Sequence, residues 1–252
     1  MEVETTILSC DVSSYNFQSI IKEMFNGLSY QLNLLHQYQC INSQISFKED
    51  TNTIFQQVFY KSPLYEKFRD AYYKFVVNEI GKLYPDETFL IVQKDPQFRV
   101  SVPNNTALGR KDDDLSDLIG VHCDRDYNHP KQEVNYIIAL TDMYDSNSVY
   151  IETGILSNTF EPIKLDSNRV LQFWGNKLRH GNKVNVTGYT RVSVDFRIIP
   201  YSIYDSSYEI RTFIEDQTRK NEDYFISKYG KDFILKQHIV ETRIINESEY
   251  QS

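Results

Sequence analysis

The sequence contains few of the residues from which metal and redox sites are most often built. Its 252 residues include only 3 Cys, 5 His and 1 Trp. The cysteines, Cys10, Cys40 and Cys123, form no CxxC pair, which excludes a disulfide scaffold and a cysteine-rich zinc site. Any metal must therefore be bound by histidines and carboxylates, and five histidines allow few combinations.

Basic residues and long apolar runs are scarce as well. Lys and Arg number 27 against 35 Asp and Glu, a net charge of −8. Nucleic-acid binding needs a basic face, so this charge argues against such a partner. The apolar run at 136–140 is too short to span a bilayer, and the acidic N-terminus does not resemble a signal peptide. We therefore expect a cytoplasmic protein that has no nucleic-acid or membrane partner.

Hydrophobic residues make up 40% of the chain, with 19 Tyr and 15 Phe, which is ample for a buried core. Helical spacing of apolar residues predicts helices over 14–38 and 62–80, and a surface helix over 214–229. Ser62 suits the N-cap of the second helix and Gly81 its end. The predicted apolar stripes are Phe17, Ile20, Ile21, Met24 and Leu28 in the first helix, and Phe68, Ala71, Phe75 and Val76 in the second.

From about 88 to 200 the apolar residues alternate with a period of two, which predicts about eight strands. The clearest runs are TFLIVQ, FRVSV, EVNYIIAL, SVYIE, RVLQFW and RVSVDFRII. Helices followed by strands indicate an α+β, mainly β fold around a β-sandwich or barrel. We expect a single domain over 1–252, with a helical front (about 1–86), a β core (about 87–200) and a C-terminal extension (about 201–252).

The segment TRVSVDFR allows two interpretations. Arg191, Ser193, Asp195 and Arg197 share one face of a strand, and Val192, Val194 and Phe196 share the other. Either the four polar residues lie in water, or helices cover the apolar face and the polar face lines a cavity. The strand alone does not decide between them.

A sparse set of residues carries the chemistry. His122 and Asp124 form an HxD motif, and alternate positions on a strand point to one side. With His180, they provide two imidazoles and one carboxylate, a facial triad that suits non-haem Fe(II) and leaves positions open. Arg191 and Ser193 follow His180 as His-x10-Arg-x-Ser, and a guanidinium beside a hydroxyl suits the carboxylate of a small acid.

These motifs resemble those of the Fe(II)/2-oxoglutarate-dependent dioxygenases, in particular hydroxylase-like proteins of the streptomycin-biosynthesis type. The matching residues read HCDRDYNHPKQEVNYIIALTDMYDSNSVYIE, VLQFWGNKLRHGN and GYTRVSVDFRIIP, within about 98–198. The resemblance implies a double-stranded β-helix (jelly-roll or cupin-like) core with the N-terminal helices packed on it. It implies His122, Asp124 and His180 as iron ligands, and Arg191 with Ser193 as the residues that bind 2-oxoglutarate.

The resemblance also implies an activity. With Fe(II), 2-oxoglutarate and dioxygen, such an enzyme hydroxylates a small polar molecule derived from a sugar, aminocyclitol or amino acid, and releases succinate and CO2. Related halogenases leave the Asp124 position small so that halide binds the iron, so the carboxylate here predicts hydroxylation or desaturation. The alternative is a non-redox, cupin-like sugar- or metal-binding protein or isomerase, which would not need the Arg-x-Ser pair.

Further residues are candidates for ligand contacts. Asn135, on the strand after HxD, could hydrogen-bond a 2-oxoglutarate carboxylate or the substrate. Arg99 either holds an anionic substrate or pairs with acids, and Tyr127 closely follows the iron motif. Asn147 and Glu152 would face the cavity if their strand alternates like its neighbours.

The remaining histidines and two other residues are predicted to lie outside the chemistry. His36, His129 and His238 are expected to be structural or exposed. Cys123 is expected to point away from the metal, and Trp174 to pack in the core.

Overall fold

The computed structural model describes residues 4–27, 29, 31–37, 54–104, 117–127, 129–204 and 239–241. The α-helices are α1 (Phe17–Met24), α2 (Ile54–Lys61) and α3 (Tyr65–Phe75). One turn of π-helix (Val76–Ile80) continues α3, and short 3₁₀ turns lie at Ser13–Tyr15, Leu32–Gln37, Gly81–Leu83, Asp124–Tyr127, Asp145–Asn147 and Tyr201–Ile203. No described helix is long and apolar enough to cross a membrane, and the cytoplasmic setting stays a prediction.

The first predicted helix is shorter than expected. The prediction of one helix over 14–38 is wrong in extent, because α1 ends at Met24. Asn26 and Gly27 adopt left-handed conformations with φ of 60° and 66°. The Gly27 N–H donates to the Lys22 carbonyl at 2.9 Å, the closing bond of a glycine-terminated helix. The predicted stripe is confirmed for Phe17, Ile20, Ile21 and Met24, all buried, and Leu28 lies outside the described residues.

The second predicted helix is displaced at both ends. α3 begins at Tyr65, and Ser62 precedes its N-cap residue instead of being the cap. Gly81 does not end the helical segment, since its φ of −54° is helical and the 3₁₀ turn runs on to Leu83. The helix predicted over 214–229 lies outside the described residues.

The described strands form two antiparallel sheets. They are β1 (Thr6–Leu8), β2 (Phe89–Val92), β3 (Gln97–Ser101), β4 (Ile119–His122), β5 (Val134–Ala139), β6 (Val149–Glu152), β7 (Phe160–Pro162), β8 (Val170–Phe173), β9 (His180–Asn182), β10 (Arg191–Pro200) and β11 (Ile239–Glu241). The larger sheet has the order β1-β8-β5-β10-β2-β11, with β3 also paired to β10, and the smaller has the order β4-β9-β6-β7. All six runs named from the sequence are confirmed as strands.

Four strands of three residues each were not named from the sequence, namely β1, β7, β9 and β11. They are too short for an alternating pattern to stand out. One of them corrects the helical front, because Thr6–Leu8 pairs antiparallel with β8 at the edge of the larger sheet.

Helices cover one face of the larger sheet. Residues of α1, α2 and α3 share one hydrophobic core with alternate residues of β5 and β10. The β10 members of that core are Val192, Val194, Phe196 and Ile198. Phe59 of α2 stacks on Phe98 of β3 with ring centroids 4.3 Å apart. Aromatic packing therefore joins the helical layer to the sheet.

A second core lies between the two sheets. It combines Ile137 and Ala139 of β5, Leu171 and Phe173 of β8, Val149 and Ile151 of β6, and the loop residues Met143 and Leu165. Every residue of β5 is buried, because this strand packs against helices on one side and the smaller sheet on the other.

The faces of β10 agree with the second interpretation of TRVSVDFR. Its apolar residues meet the helices, and its polar residues are turned toward the smaller sheet. Arg191 and Ser193 are only 4% and 2% exposed, so they do not lie in water. Polar side chains held in the interior need polar partners, so this face of β10 is a candidate for a binding site.

Replacing Phe59 with alanine tests whether helices and sheets fold as a single domain. Phe59 is fully buried and also meets Phe68 edge-on at 4.8 Å. We expect F59A to lower the free energy of unfolding by about 3–5 kcal/mol. Urea titration followed by circular dichroism should show one transition, shifted as a whole. The exposed Leu156, as L156A, serves as the control with little change; two separate transitions would contradict a single domain.

Candidate metal centre

Side chains from two distant segments of the sequence converge on one point. One ligand atom each from His122, Asp124 and His180 lies within 4.8 Å of the others, the one such group among the described residues. Asp124 Oδ1 is 3.7 Å from His122 Nε2 and 3.5 Å from His180 Nε2. These spacings are too long for direct hydrogen bonds and leave room for an ion between the atoms.

The register of β4 and β9 brings the two histidines together. His122 and His180 are directly opposite each other across this antiparallel pair, with ring centroids 4.4 Å apart. Asp124 reaches them differently from the prediction. The strand ends at His122, and Asp124 lies in the 3₁₀ turn that follows, where its N–H donates to the Gly175 carbonyl at 2.8 Å. A turn, not strand alternation, therefore positions the carboxylate.

Backbone carbonyls fix the tautomers of both imidazoles. His122 Nδ1 lies 2.6 Å from the Gly120 carbonyl, and His180 Nδ1 lies 3.1 Å from the Leu178 carbonyl. A carbonyl only accepts hydrogen bonds, so each Nδ1 carries the proton and donates it. In this tautomer each ring presents the Nε2 lone pair to the centre, the arrangement in which histidine binds metals.

The protonation state of His122 favours the same role. Burial lowers the pKa of His122 to about 3, and the neighbouring His180 and Arg197 act in the same direction against the attraction of Asp124. His122 is therefore neutral at physiological pH and available as a ligand.

The two oxygens of Asp124 have different surroundings. Oδ2 accepts from Asn135 Nδ2 at 2.5 Å and from Arg197 Nε at 3.1 Å. Oδ1 is buried and, within the described part of the chain, has no hydrogen-bond partner. Burial alone would raise the pKa of this carboxyl, but the positive charge of Arg197 outweighs burial and the pKa lies well below its ordinary value.

These observations fit a metal ion bound by this trio. A buried carboxylate oxygen without a partner is costly unless a cation meets it. Oδ1 faces two imidazole nitrogens whose lone pairs are free by tautomer, which gives a donor set of two nitrogens and one oxygen. That set suits Fe(II) in a facial triad.

Arg191 and Ser193 lie in the interior on the polar face of β10. Arg191 Nη1 donates to Asn182 Oδ1 at 3.1 Å, and Asn182 is two residues beyond His180 on β9. Side chains two apart on a strand share a face at a spacing of roughly 7 Å. The guanidinium of Arg191 therefore lies on the same side as the His180 ring. Binding of 2-oxoglutarate by Arg191 and Ser193 stays a prediction.

Asn135 has a partner that the sequence did not reveal. Its amide donates to Asp124 Oδ2, and its carbonyl accepts from the Gly175 N–H at 3.0 Å. The predicted contact with 2-oxoglutarate stays a prediction. In the structure, Asn135 holds the Asp124 carboxylate through a hydrogen bond.

Arg99 and Tyr127 lie beside the centre in different ways. Arg99 Nε donates to Asp195 Oδ1 at 2.8 Å across the β3–β10 pair, which agrees with the alternative that it pairs with acids. A substrate contact for Arg99 stays a prediction. Tyr127 stands next to His122, with ring centroids 4.7 Å apart. Tyr127 is therefore packed beside the His122 ring, and its contact with a substrate stays a prediction.

Asn147 and Glu152 are held by the protein itself. Asn147 Oδ1 accepts from the Tyr144 N–H at 2.8 Å, which closes a turn. Glu152 is bound by Arg179 Nε at 3.2 Å and by the Asn158 N–H at 3.0 Å. A substrate contact for either residue stays a prediction, and their filled hydrogen-bonding positions weigh against it.

Two residues near the centre were not singled out from the sequence. Arg197 contacts Asp124, and Arg179 precedes His180 and pairs with buried Glu152. The pattern held a clue to Arg197, because it shares a strand face with Arg191. No clue pointed to Arg179, since its partner lies on a different strand.

The residues predicted to lie outside the chemistry largely do so. His129 Nδ1 bonds Glu133 at 2.7 Å, and His36 Nδ1 bonds the Thr190 hydroxyl at 2.7 Å. Cys123 is buried with its sulfur near the Lys177 carbonyl. His238 lies outside the described residues.

The core position predicted for Trp174 is wrong. The ring is only partly buried, its Nε1 donates to the Lys131 carbonyl at 2.9 Å, and Lys177 Nζ lies 5.7 Å from the ring centroid. The indole N–H needs an acceptor, and here it finds one at the surface.

Glu152 should stabilise the strand that carries His180. Burial alone would raise its pKa, but the hydrogen bonds from Arg179 lower the pKa of Glu152 to about 2. A lowered folded-state pKa means that the stabilisation is complete above about pH 4.5 and is lost as the pH falls toward 2. We expect E152Q to lower the free energy of unfolding by about 3 kcal/mol at pH 7, with a smaller deficit at pH 3. Urea titrations at both pH values measure this; an equal deficit at both would contradict it.

Comparison with known proteins supplies the family. No protein-family model matches the chain. The streptomycin biosynthesis protein StrG of Streptomyces griseus is 32% identical over 161 residues, which cover 62% of this chain and 67% of that protein.

Solved structures give weaker matches. A 2OG-Fe(II) oxygenase-family oxidoreductase from Burkholderia pseudomallei is 12% identical over 54% of this chain and 52% of its own, with a TM-score of 0.35. A Pseudomonas putida prolyl-4-hydroxylase is 9% identical over 77% of this chain and 91% of its own, with a TM-score of 0.38. At these scores nothing about function is carried over from them. The sequence match, by contrast, confirms the predicted streptomycin-biosynthesis-type resemblance, and the chain belongs to the family of StrG.

Proposed function

We propose that this protein is an Fe(II)- and 2-oxoglutarate-dependent oxygenase that hydroxylates a small polar molecule and releases succinate and CO2. One observation carries the proposal. The buried Asp124 Oδ1 has no hydrogen-bond partner in the described residues and faces the Nε2 atoms of two imidazoles whose tautomers are fixed by backbone carbonyls.

His122, Asp124 and His180 would hold the iron. When bound, Fe(II) supplies the position where dioxygen reacts with 2-oxoglutarate, which is chemistry that protein side chains do not perform. The protein contributes the geometry of the ligands and an apolar wall beside the centre. Phe173 meets the His180 ring edge-on at 5.2 Å, and Ile137 and Ala139 lie in the same apolar cluster. Such a wall limits the access of water to the reacting groups.

Arg191 and Ser193 would bind the far carboxylate of 2-oxoglutarate. Both are buried, and Arg191 reaches Asn182, one same-face step of roughly 7 Å from His180. A short diacid with one end at the metal can place its other carboxylate against this guanidinium. A buried Arg–carboxylate contact is strong and directional, which suits a co-substrate that must bind in one orientation.

The substrate would enter from the side of His122. The His122 side chain is 27% exposed, against 11% for His180, so the centre is more open there. Tyr127 stands at that ring, and the partly exposed Arg99–Asp195 pair lies on the polar sheet face. Polar and charged groups at an opening favour a sugar, aminocyclitol or amino-acid derivative, and the role of StrG in streptomycin biosynthesis agrees with this class.

We also propose that the core is a double-stranded β-helix. Two antiparallel sheets enclose a shared core, and helices cover the outer face of the larger one. This arrangement is compatible with a double-stranded β-helix in which the metal centre lies between the sheets.

Iron binding can be tested with one histidine removed. Under anaerobic conditions, Fe(II) and 2-oxoglutarate should give the wild-type protein a visible metal-to-ligand charge-transfer band. We expect H180A to lose it, because one of three ligands is gone. H36A is the matched control and should keep the band, since His36 bonds Thr190 outside the centre. A colourless wild-type mixture would favour the non-redox cupin-like alternative.

Replacing Arg191 with methionine should weaken 2-oxoglutarate without removing the metal. We expect an increase of about 100-fold in the 2-oxoglutarate concentration for half-maximal succinate release, because a buried charged contact is lost. Fe(II) affinity should stay within about twofold, since Arg191 donates to Asn182, which is not one of the proposed ligands. Arg169→Met, at an arginine that bonds Ser9 on the surface, is the control. An unchanged 2-oxoglutarate requirement in R191M would remove Arg191 from the proposed site.

A further inference from the structure

The unequal surroundings of the two Asp124 oxygens have a consequence for how Asp124 can bind a metal. The carboxylate is fully buried, and Oδ2 accepts both the Asn135 amide and the Arg197 Nε–H. Two donors on one oxygen occupy the lone pairs that a cation would otherwise use. Oδ1 remains for the centre between the imidazoles.

The sheet register delivers both donors to the same oxygen. Asn135 of β5 and Arg197 of β10 are directly opposite each other in the antiparallel pair. Opposed residues project from the same face of a sheet with Cβ atoms roughly 5 Å apart. The two side chains therefore approach Asp124 together, from a rigid and fully paired part of the larger sheet.

Each donor is itself fixed by further contacts. The Gly175 N–H donates to the Asn135 carbonyl at 3.0 Å, which turns the amide N–H toward Asp124. Arg197 Nη1 donates to Gln93 Oε1 at 3.4 Å, and Glu133 Oε2 lies 3.7 Å from Arg197 Nε. Such support limits rotation of both side chains, so the contact with Oδ2 is a built feature of the site.

Gly175 has a steric part in this arrangement. A Cβ added at Gly175 would lie 2.7–2.8 Å from the amide atoms of Asn135, closer than real Cβ contacts. Any larger residue at this position would displace the amide from Asp124.

We propose that Arg197 and Asn135 are positioning residues that hold Asp124 to ligation through Oδ1 alone. This inference rests on the proposed metal site. A carboxylate that binds through one oxygen, together with two imidazoles, fills three positions of an octahedral ion and leaves three open. A bidentate carboxylate would fill a fourth position, and the co-substrate and dioxygen together need three.

The test is metal binding without 2-oxoglutarate or oxygen, with Co(II) as a spectroscopic probe. We expect R197M and N135A each to weaken Co(II) binding by about 10- to 100-fold. Their visible Co(II) spectra should also change in band position and intensity, because the released Oδ2 can now enter the coordination shell. The double variant should weaken Co(II) binding by a smaller factor than the product of the factors for R197M and N135A, since both donors act on one oxygen.

Arg99→Met is the matched control for metal binding. Arg99 is also an arginine paired with a carboxylate on the polar sheet face, but its partner is Asp195 and not Asp124. We expect R99M to bind Co(II) with wild-type affinity and spectrum. R197K should fall between wild type and R197M, because lysine keeps the charge and loses the planar donor.

G175A provides a second route if R197M, which leaves a buried carboxylate without its cation, does not fold. It retains every charged residue and should reproduce the spectral change of N135A. Wild-type Co(II) affinity and spectrum in N135A and G175A would overturn the inference while leaving the proposed function intact. Absence of Co(II) binding by the wild-type protein would overturn both.

Discussion

The burial of the Asp124 carboxylate is the constraint on which the rest of the site depends. A fully buried negative charge is costly unless each oxygen meets a compensating group. Arg197 and Asn135 satisfy one oxygen, and the second lies between two imidazole nitrogens. The site is therefore incomplete in the protein alone, in the specific sense that one buried acceptor has no hydrogen bond among the described residues. A cation at that point completes the electrostatics.

The fold meets this constraint by dividing the labour between two sheets. The smaller sheet brings His122 and His180 together as a cross-strand pair, while the larger sheet supplies Asn135 and Arg197 as another. Asp124 lies in the turn after β4, so its carboxylate can contact both pairs. Within the described part of the chain, α1, α2 and α3 contribute no side chain to the triad. By covering the apolar face of β10 they allow its polar face to be turned inward, where an ordinary half-buried strand would expose it.

The sequence predicted which side chains come together better than it predicted how they are positioned. His122, Asp124 and His180 could be proposed because so few histidines are available and the HxD motif limits the choice. The predicted strand alternation between His122 and Asp124 was wrong, because the strand ends at His122 and a hydrogen bond to distant Gly175 places the carboxylate. Contacts of that kind, like Arg197 with Asp124 or Arg179 with Glu152, depend on strand pairings that a local pattern does not encode. The helix over 14–38 failed for a local reason, since Asn26 and Gly27 end it with a left-handed turn that the apolar stripe does not reveal.

Strand β10 shows how one alternating segment can serve several ends of a site. Along its polar face, Arg197 meets the Asp124 carboxylate, Asp195 pairs with Arg99, and Arg191 reaches the strand of His180. In the proposed function the first acts on the metal side and the last on the co-substrate side, and both are fixed by the register of the larger sheet. The Arg99–Asp195 pair lies between them and is more exposed than Arg191. An ion pair at such a position can exchange partners with a polar ligand at lower cost than a buried one, because solvent already screens it. Under the proposed function, a polar substrate would therefore contact the middle of this face at the Arg99–Asp195 pair.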